Sequence, residues 1–487
     1  MFCNFCDENR FHLWWSKVKR YWADRDVPHL PPVPLVGNMT FLLRENIVYW
    51  LERVYHQHYD RPYVGFWIFW RPGLLVNSPT IARNILNRDF DIFKNRSLSS
   101  GNTDPVGALN LFTAKDPLWS HLRLQLGGLF TSAKLRKFQD YTRIKSKELV
   151  QRIHNDRNSK IDMLTLFNDY TTDVIGTTLF GIKSDATLTG AGPLRDITKD
   201  FSKYSLFRSI GWFSIFFIPE LVDIFRFKFF PKSSINYFKK IFQILLSRRE
   251  KNEKSKDTKD LLDFLLNIKK QNESFSDDII VGQAAVFLLG GFDTSGKLLT
   301  FSVYELAHNQ EIQNKLYQEL SETMRCKEND DFNMQTLMEL PYLNAVIKET
   351  LRIYIPMGWI DRVASEDYKI DEKLTIEAGT VVYINAVGMH KDPKYFPEPH
   401  KFDPERFLPE NKHKIEPYTY LPFGEGPRAC IGKRFGYMTV QFALTHILLK
   451  YKILPYPDST KPSEMKVNSK TVWFFPGEEI HVQFIPR

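Results

Sequence analysis

Cysteine is scarce in this chain: four residues in 487, at positions 3, 6, 326 and 430. That is too few for a disulfide framework, and the Cys3-x-x-Cys6 pair has no second Cys or His pair at zinc-site spacing. A reducing compartment fits this usage best. Long apolar runs are missing too: none reaches the ~18 residues expected of a membrane-spanning helix. The opening MFCNFCDENR puts charge where a signal peptide would place its apolar region. There are no internal repeats, no zinc-finger spacing and no long Lys/Arg block with interleaved aromatics. Nucleic acid is therefore not an expected partner, although the net charge is +9. Such a positive field instead favours anionic lipid or an acidic protein face.

What is present begins with an amphipathic stretch at residues 11–22. Phe11, Trp14, Trp15, Val18, Tyr21 and Trp22 share one helical face, with Lys17, Lys19 and Arg20 opposite. Such a helix either lies in a membrane interface or docks on the protein body. Residues 28–37 are proline-rich, with Pro28, Pro31, Pro32 and Pro34, and read as a semi-rigid hinge. The expected organisation is thus a membrane-associating segment at 1–27, the hinge at 28–37, and one body at 38–487. In that body the patterning predicts a helix over 41–59 and strands over 63–70 and 73–77 turning at Arg71-Pro72-Gly73. Largely helical sequence follows to about 270, with loops at 97–117 and 183–197. The aromatic stretch 201–242 is broken by Pro219 and Pro231, and 251–260 is a solvated charged loop. Helices are expected at 276–309, 310–326, 340–354 and 431–450, strands within 360–388, and a closing hairpin turning at Phe475-Pro476-Gly477-Glu478. The fold class is mainly α with small β-sheets. Cys326 sits in a polar loop and has no expected role.

The densest local signal is Phe423-Gly424-Glu425-Gly426-Pro427-Arg428-Ala429-Cys430-Ile431-Gly432. Three glycines and a proline force a tight loop, and a helix starts just after the cysteine. Its first amides and positive dipole end favour the thiolate, which is a good soft ligand for iron. Upstream, Glu349-Thr350-Leu351-Arg352 puts opposite charges on one helix face. Gly290-Gly291-Phe292-Asp293-Thr294-Ser295 interrupts an apolar helix with two glycines, an acid and an alcohol. Each glycine weakens the helix by roughly 1 kcal/mol, so room for a ligand is the expected compensation.

The cysteine loop matches FxxGxRxCxG, and the chain thereby resembles the cytochromes P450. Phrases such as YWADRDVPHLPPVPLVGN, LFTSAKLRKF and KFDPERF look most like microsomal insect members that metabolise xenobiotics. The resemblance implies haem b between the long central helix and the ligand loop, with Cys430 as axial thiolate. It implies that Phe423 covers the sulfur, that Gly432, Gly426, Gly290 and Gly291 leave room, and that Thr294 and Asp293 manage protons during oxygen activation. Haem carboxylates would meet Trp119, Arg123, Arg362, Arg428 and Arg96. Glu349, Arg352 and Arg406 would form a buried structural triad. Phe287, Met357, Trp359 and Phe475 would line the substrate pocket, Trp359 narrowing it.

The implied activity is NADPH-dependent monooxygenation of lipophilic molecules: plant toxins, insecticides, or endogenous compounds such as hormones. Electrons would come from NADPH–cytochrome P450 reductase, with cytochrome b5 as a further candidate donor. Lys134, Arg136, Lys137, Lys433 and Arg434 would make the docking face. Microsomal members begin with a spanning helix, whereas residues 1–27 hold only the amphipathic stretch. Peripheral attachment to the cytosolic face of the endoplasmic reticulum is therefore expected. Two alternatives stay open. A haem-thiolate isomerase or dehydratase would need no reductase, and the Asp293-Thr294 pair argues against it. A non-catalytic haem protein would sequester ligands without turnover.

Overall fold

The computed structural model describes residues 8–203, 205–250, 261–271, 275–326 and 331–487. The Cys3–Cys6 pair and the charged stretch 251–260 lie outside the described residues. The architecture is helical around one long central helix, Asp277–His308, capped by the Ser276 side chain, which accepts from the Ile279 N–H. This helix is long and apolar enough to cross a membrane, but most of its apolar surface is buried inside the protein. It packs most extensively on helix Met163–Thr178. Glycines permit that closeness: a Cβ at Gly291 would fall 1.7 Å from Ile175 Cδ1, and one at Gly296 2.2 Å from Asn168 Oδ1. Thr171 Oγ1 donates to the Phe292 carbonyl across the same interface, at 2.9 Å.

Three small sheets complete the body. The largest joins β1 (Tyr63–Ile68), β2 (Arg71–Val76), β3 (Ile360–Val363) and a later strand; the two-residue strands β4 (Tyr368–Lys369) and β5 (Thr375–Ile376) pair with each other. That later strand, β6 (Val381–Ile384), runs parallel to β2 and antiparallel to β3, giving the order β1-β2-β6-β3. β7 (Tyr451–Pro455) and β8 (Val482–Pro486) form a terminal antiparallel pair.

Several boundaries differ from the sequence expectation. The first hairpin turns at Phe69-Trp70, not at Arg71-Pro72-Gly73, because Ile68 pairs with Arg71 and Trp67 with Pro72. Phe69 takes the left-handed φ of 59° in that turn. Pro72, lacking an N–H, sits beyond the β2–β6 pairing, which starts at Gly73. The helix expected over 41–59 is Ile47–Gln57, capped by Asn46. The chain does not turn back as a hairpin at 475–478. Instead a loop is closed by a Val467–Pro476 bridge, and β8 pairs with β7. The aromatic stretch is broken as expected, into Leu206–Phe217, Glu220–Phe225 and Lys232–Glu250.

The amphipathic helix, Glu8–Arg20, docks on this body. Trp67 Nε1 donates to the Val18 carbonyl and Trp22 Nε1 to the Phe66 carbonyl, both at 3.1 Å. The Trp22 ring lies on Gly65, where a Cβ would be 2.4 Å from Cγ. Trp15 is buried, whereas Leu13 and Trp14 remain exposed. The proline-rich stretch is tied to β1, with the Leu30 N–H donating to the Gly65 carbonyl and the Asn38 N–H to the Trp67 carbonyl.

Candidate functional site

A cavity of about 340 Å³ lies between the central helix and the cysteine loop. The loop is shaped by its glycines. Gly424 and Gly426 have φ of 66° and 75°, and a Cβ at Gly426 would fall 1.8 Å from the Leu86 carbonyl oxygen. Gly426 therefore serves loop packing; unlike Gly424 and Gly432 it does not line the cavity. The Cys430 N–H donates to the Phe423 carbonyl at 2.9 Å, and Gly432 caps the last helix, Lys433–Lys450. The sulfur is accessible, yet the surface it presents is the wall of this deep cavity. Burial pushes the thiol above its ordinary value; the Gly432 N–H, Arg123, Arg96 and Lys433 oppose this. The helix start thus helps the thiolate without carrying it alone.

Opposite the cysteine stand Gly290, Gly291, Asp293 and Thr294. A Cβ at Gly290 would meet nothing within 4 Å, so this residue keeps cavity space open, whereas Gly291 makes room for Ile175. Thr294 Oγ1 donates to the Gly290 carbonyl at 2.6 Å. Asp293 is ion-paired to Lys297, one turn on, at 2.6 Å, a partner the sequence reading did not identify although the i,i+4 spacing offered it.

Arg96, Arg123, Arg362 and Arg428 all line this cavity. Arg428 donates to the Ala114 carbonyl and stacks 4.3 Å over Trp119. Arg96 Nε, Arg362 Nε and Arg428 Nε and Nη1 are buried without a hydrogen-bond partner among the described residues. Burial depresses Arg428 to about 8 and Arg362 to about 9, with Arg96 adding repulsion at each. A guanidinium does not give up its proton in a protein, so these groups demand anionic partners. Asp361 is one: burial would raise it, but Arg96, Arg362 and Ser97 hold it below its ordinary value. One carboxylate does not satisfy the set.

Phe287, Met357 and Trp359 line the cavity as expected. Phe475 does not; its ring lies 4.7 Å from Lys297 Nζ, and Trp473 takes the wall position two residues earlier. Phe112, Phe229, Phe130 and Leu111 are wall residues that the motifs did not single out. Behind the cysteine loop, Arg352 makes two 2.8 Å bonds to Glu349, and Arg406 joins at 3.4 Å. Glu349 and Arg352 are fully buried. His390 ties this network to the loop: its Nδ1 lies 3.1 Å from the Arg352 carbonyl, and Nε2 accepts from the Leu421 N–H at 2.8 Å.

The cytochrome P450 family model matches residues 28–477. The chain is a cytochrome P450. It is similar to cytochrome P450 6k1 of Blattella germanica, with 34% identity over 95% of this chain and 92% of the relative. It is also similar to the probable cytochrome P450 6g2 of Drosophila melanogaster, at 31% over 96% and 94%, and to cytochrome P450 6a2 of the same fly, at 33% over 89% of each. The protein is therefore a haem monooxygenase of the type these insect enzymes represent. This P450 fits its family's cofactor: the Cys430 thiol and a glycine-opened helix line one cavity, and the buried guanidinium nitrogens without a partner among the described residues would receive the haem carboxylates.

Proposed function

We propose that this P450 inserts one oxygen atom into lipophilic small molecules and reduces the second to water, drawing electrons from NADPH through cytochrome P450 reductase. The supporting observation is that Cys430, Thr294 and arginines with unpartnered guanidinium nitrogens share one mainly apolar cavity. Haem, when bound, supplies the oxygen and one-electron chemistry. Cys430 would hold its iron, and Arg96, Arg123, Arg362 and Arg428 would hold its carboxylates. Phe112, Phe229, Phe287, Trp359 and Trp473 exclude water and orient apolar substrates by shape. Asp293 and Thr294 hold and move protons at the central helix.

Attachment at the cytosolic face of the endoplasmic reticulum belongs to the same reading, as do roles in xenobiotic or hormone metabolism. Leu13, Trp14, Trp70, Leu206, Phe207, Ile224 and Phe225 are exposed apolar groups suited to a membrane interface. Arg71, next to Trp70, bonds Glu220 at 2.7 Å, which brings the hairpin turn to helix Glu220–Phe225. Replacing Cys430 by Ser tests the centre of the proposal. The variant should lose the thiolate-type carbon monoxide band and NADPH-driven product formation, and an intact band would overturn the ligand assignment.

A further inference from the structure

Asp293 faces two spaces. One is the main cavity; the other is a narrow cleft walled by Phe201, Arg208, Ser209 and Trp212 on one side and 470–473 on the other. Leu289, Asp293 and Trp473 line both, so the Asp293 side chain stands between the cleft and the cavity. The free space in the cleft suits about one water and excludes any organic substrate. Its walls are mainly apolar but carry polar groups for a water: the Trp212 indole N–H, which has no partner among the described residues, the exposed Lys470, Arg208, and Ser209, whose hydroxyl donates to the Ser205 carbonyl and can still accept.

At the inner end Lys297 Nζ bonds Asp293 Oδ2, with side-chain exposures of only 4% and 15%. The ammonium lies 4.7 Å from the Phe475 ring centre, whose face shields it. A buried ion pair is weak evidence for stabilisation, since desolvation offsets the attraction. What this pair does achieve is geometric. It takes one carboxylate oxygen and holds the side chain at the junction, leaving Oδ1 for other hydrogen bonds.

We propose that Lys297 is a positioning residue for Asp293, and that the cleft is the route by which water and protons reach it. Substrate and protons then use separate openings. A proton taken up at Asp293 from cleft water is released on the cavity side, and the carboxylate returns to its starting charge. This inference rests on the monooxygenase reading.

The test uses the holoenzyme with reductase and NADPH, comparing wild type with K297M, K297R, D293N, D293N/K297M and S209L. Two quantities are read: the C–O stretching frequency of the carbon monoxide complex, and the fraction of NADPH electrons recovered as hydrogen peroxide. K297M should shift the stretch and raise the peroxide fraction severalfold, and K297R should restore both. If K297M folds poorly, the double variant decides, since its peroxide fraction should equal that of D293N alone. S209L, which fills the cleft, should raise the peroxide fraction without changing spectral substrate affinity. Wild-type behaviour in K297M, or an additive effect in the double variant, overturns the positioning role. An unchanged peroxide fraction in S209L overturns the route. Failure of the underlying reading looks different: wild type itself would lack the thiolate-type band or reductase-dependent turnover.

Discussion

His390 shows how much one buried side chain can couple. It bridges the Arg352 carbonyl and the Leu421 N–H, stacks 5.3 Å from Tyr420, and is fully buried. Burial drives its ionisation down to about 3. The unfolded chain, with an ordinary imidazole, binds the proton over the window between about 6.5 and 3, so stability falls as pH drops through it. At pH 5 the loss is about 2 kcal/mol. Glu305 acts in the opposite sense: burial raises it to about 7, so the native state holds that proton and loses stability as pH rises towards 7. The difference between variants isolates the histidine. His390→Gln should make the slope of Tm against pH between 4.5 and 6.5 more negative than in wild type, because the opposing Glu305 contribution is left unbalanced, measured by thermal melts across that range.

The central helix contains two adjacent glycines that the sequence could not tell apart. Gly290 meets open cavity and Gly291 meets Ile175. Gly290→Ala should keep or raise stability, by up to about 1 kcal/mol. Gly291→Ala should cost about 1–3 kcal/mol, because Ile175 must move in a packed interface. Denaturant melts of the two variants check this contrast. The same distinction explains which elements were legible. Helices such as Asp277–His308, Gln310–Arg325 and Pro341–Ile353 follow apolar periodicity and caps, which are local, and the sequence placed them within a residue or two. The hairpin turn moved to Phe69-Trp70 through the side-by-side register of β1 and β2, and the terminal strands paired differently because β7 and β8 are separated in the chain.

Over the whole molecule, the basic residues read from sequence come together. Arg136 and Lys137 are exposed on helix Ser132–Asp156, and Lys433 and Arg434 at the start of the last helix. Arg434 Nη1 donates to Ser132 Oγ at 2.9 Å, which joins the two groups on one face. Lys433 is three residues from Cys430, so a partner docked there approaches the sulfur side of the cavity. The double reversal R136E/R434E should raise the reductase concentration for half-maximal turnover severalfold at low salt, with the difference shrinking at high salt. Reductase titrations at two ionic strengths measure it; identical curves would remove this face from the docking model.

The candidate site divides along the same line. Cys430 in its glycine-rich loop, the Glu349–Arg352 pair and the Gly290–Thr294 segment were readable from residue order alone, because each is a short motif whose chemistry needs fixed spacing along the chain. The sequence by itself also determined the helical fold and the excess of positive charge. Only the tertiary structure decided that Trp473 and not Phe475 walls the cavity, that Gly426 packs on Leu86, and that the Phe475 ring lies over Lys297. These contacts depend on which way a loop or helix face turns, and packing against residues hundreds of positions away sets that direction.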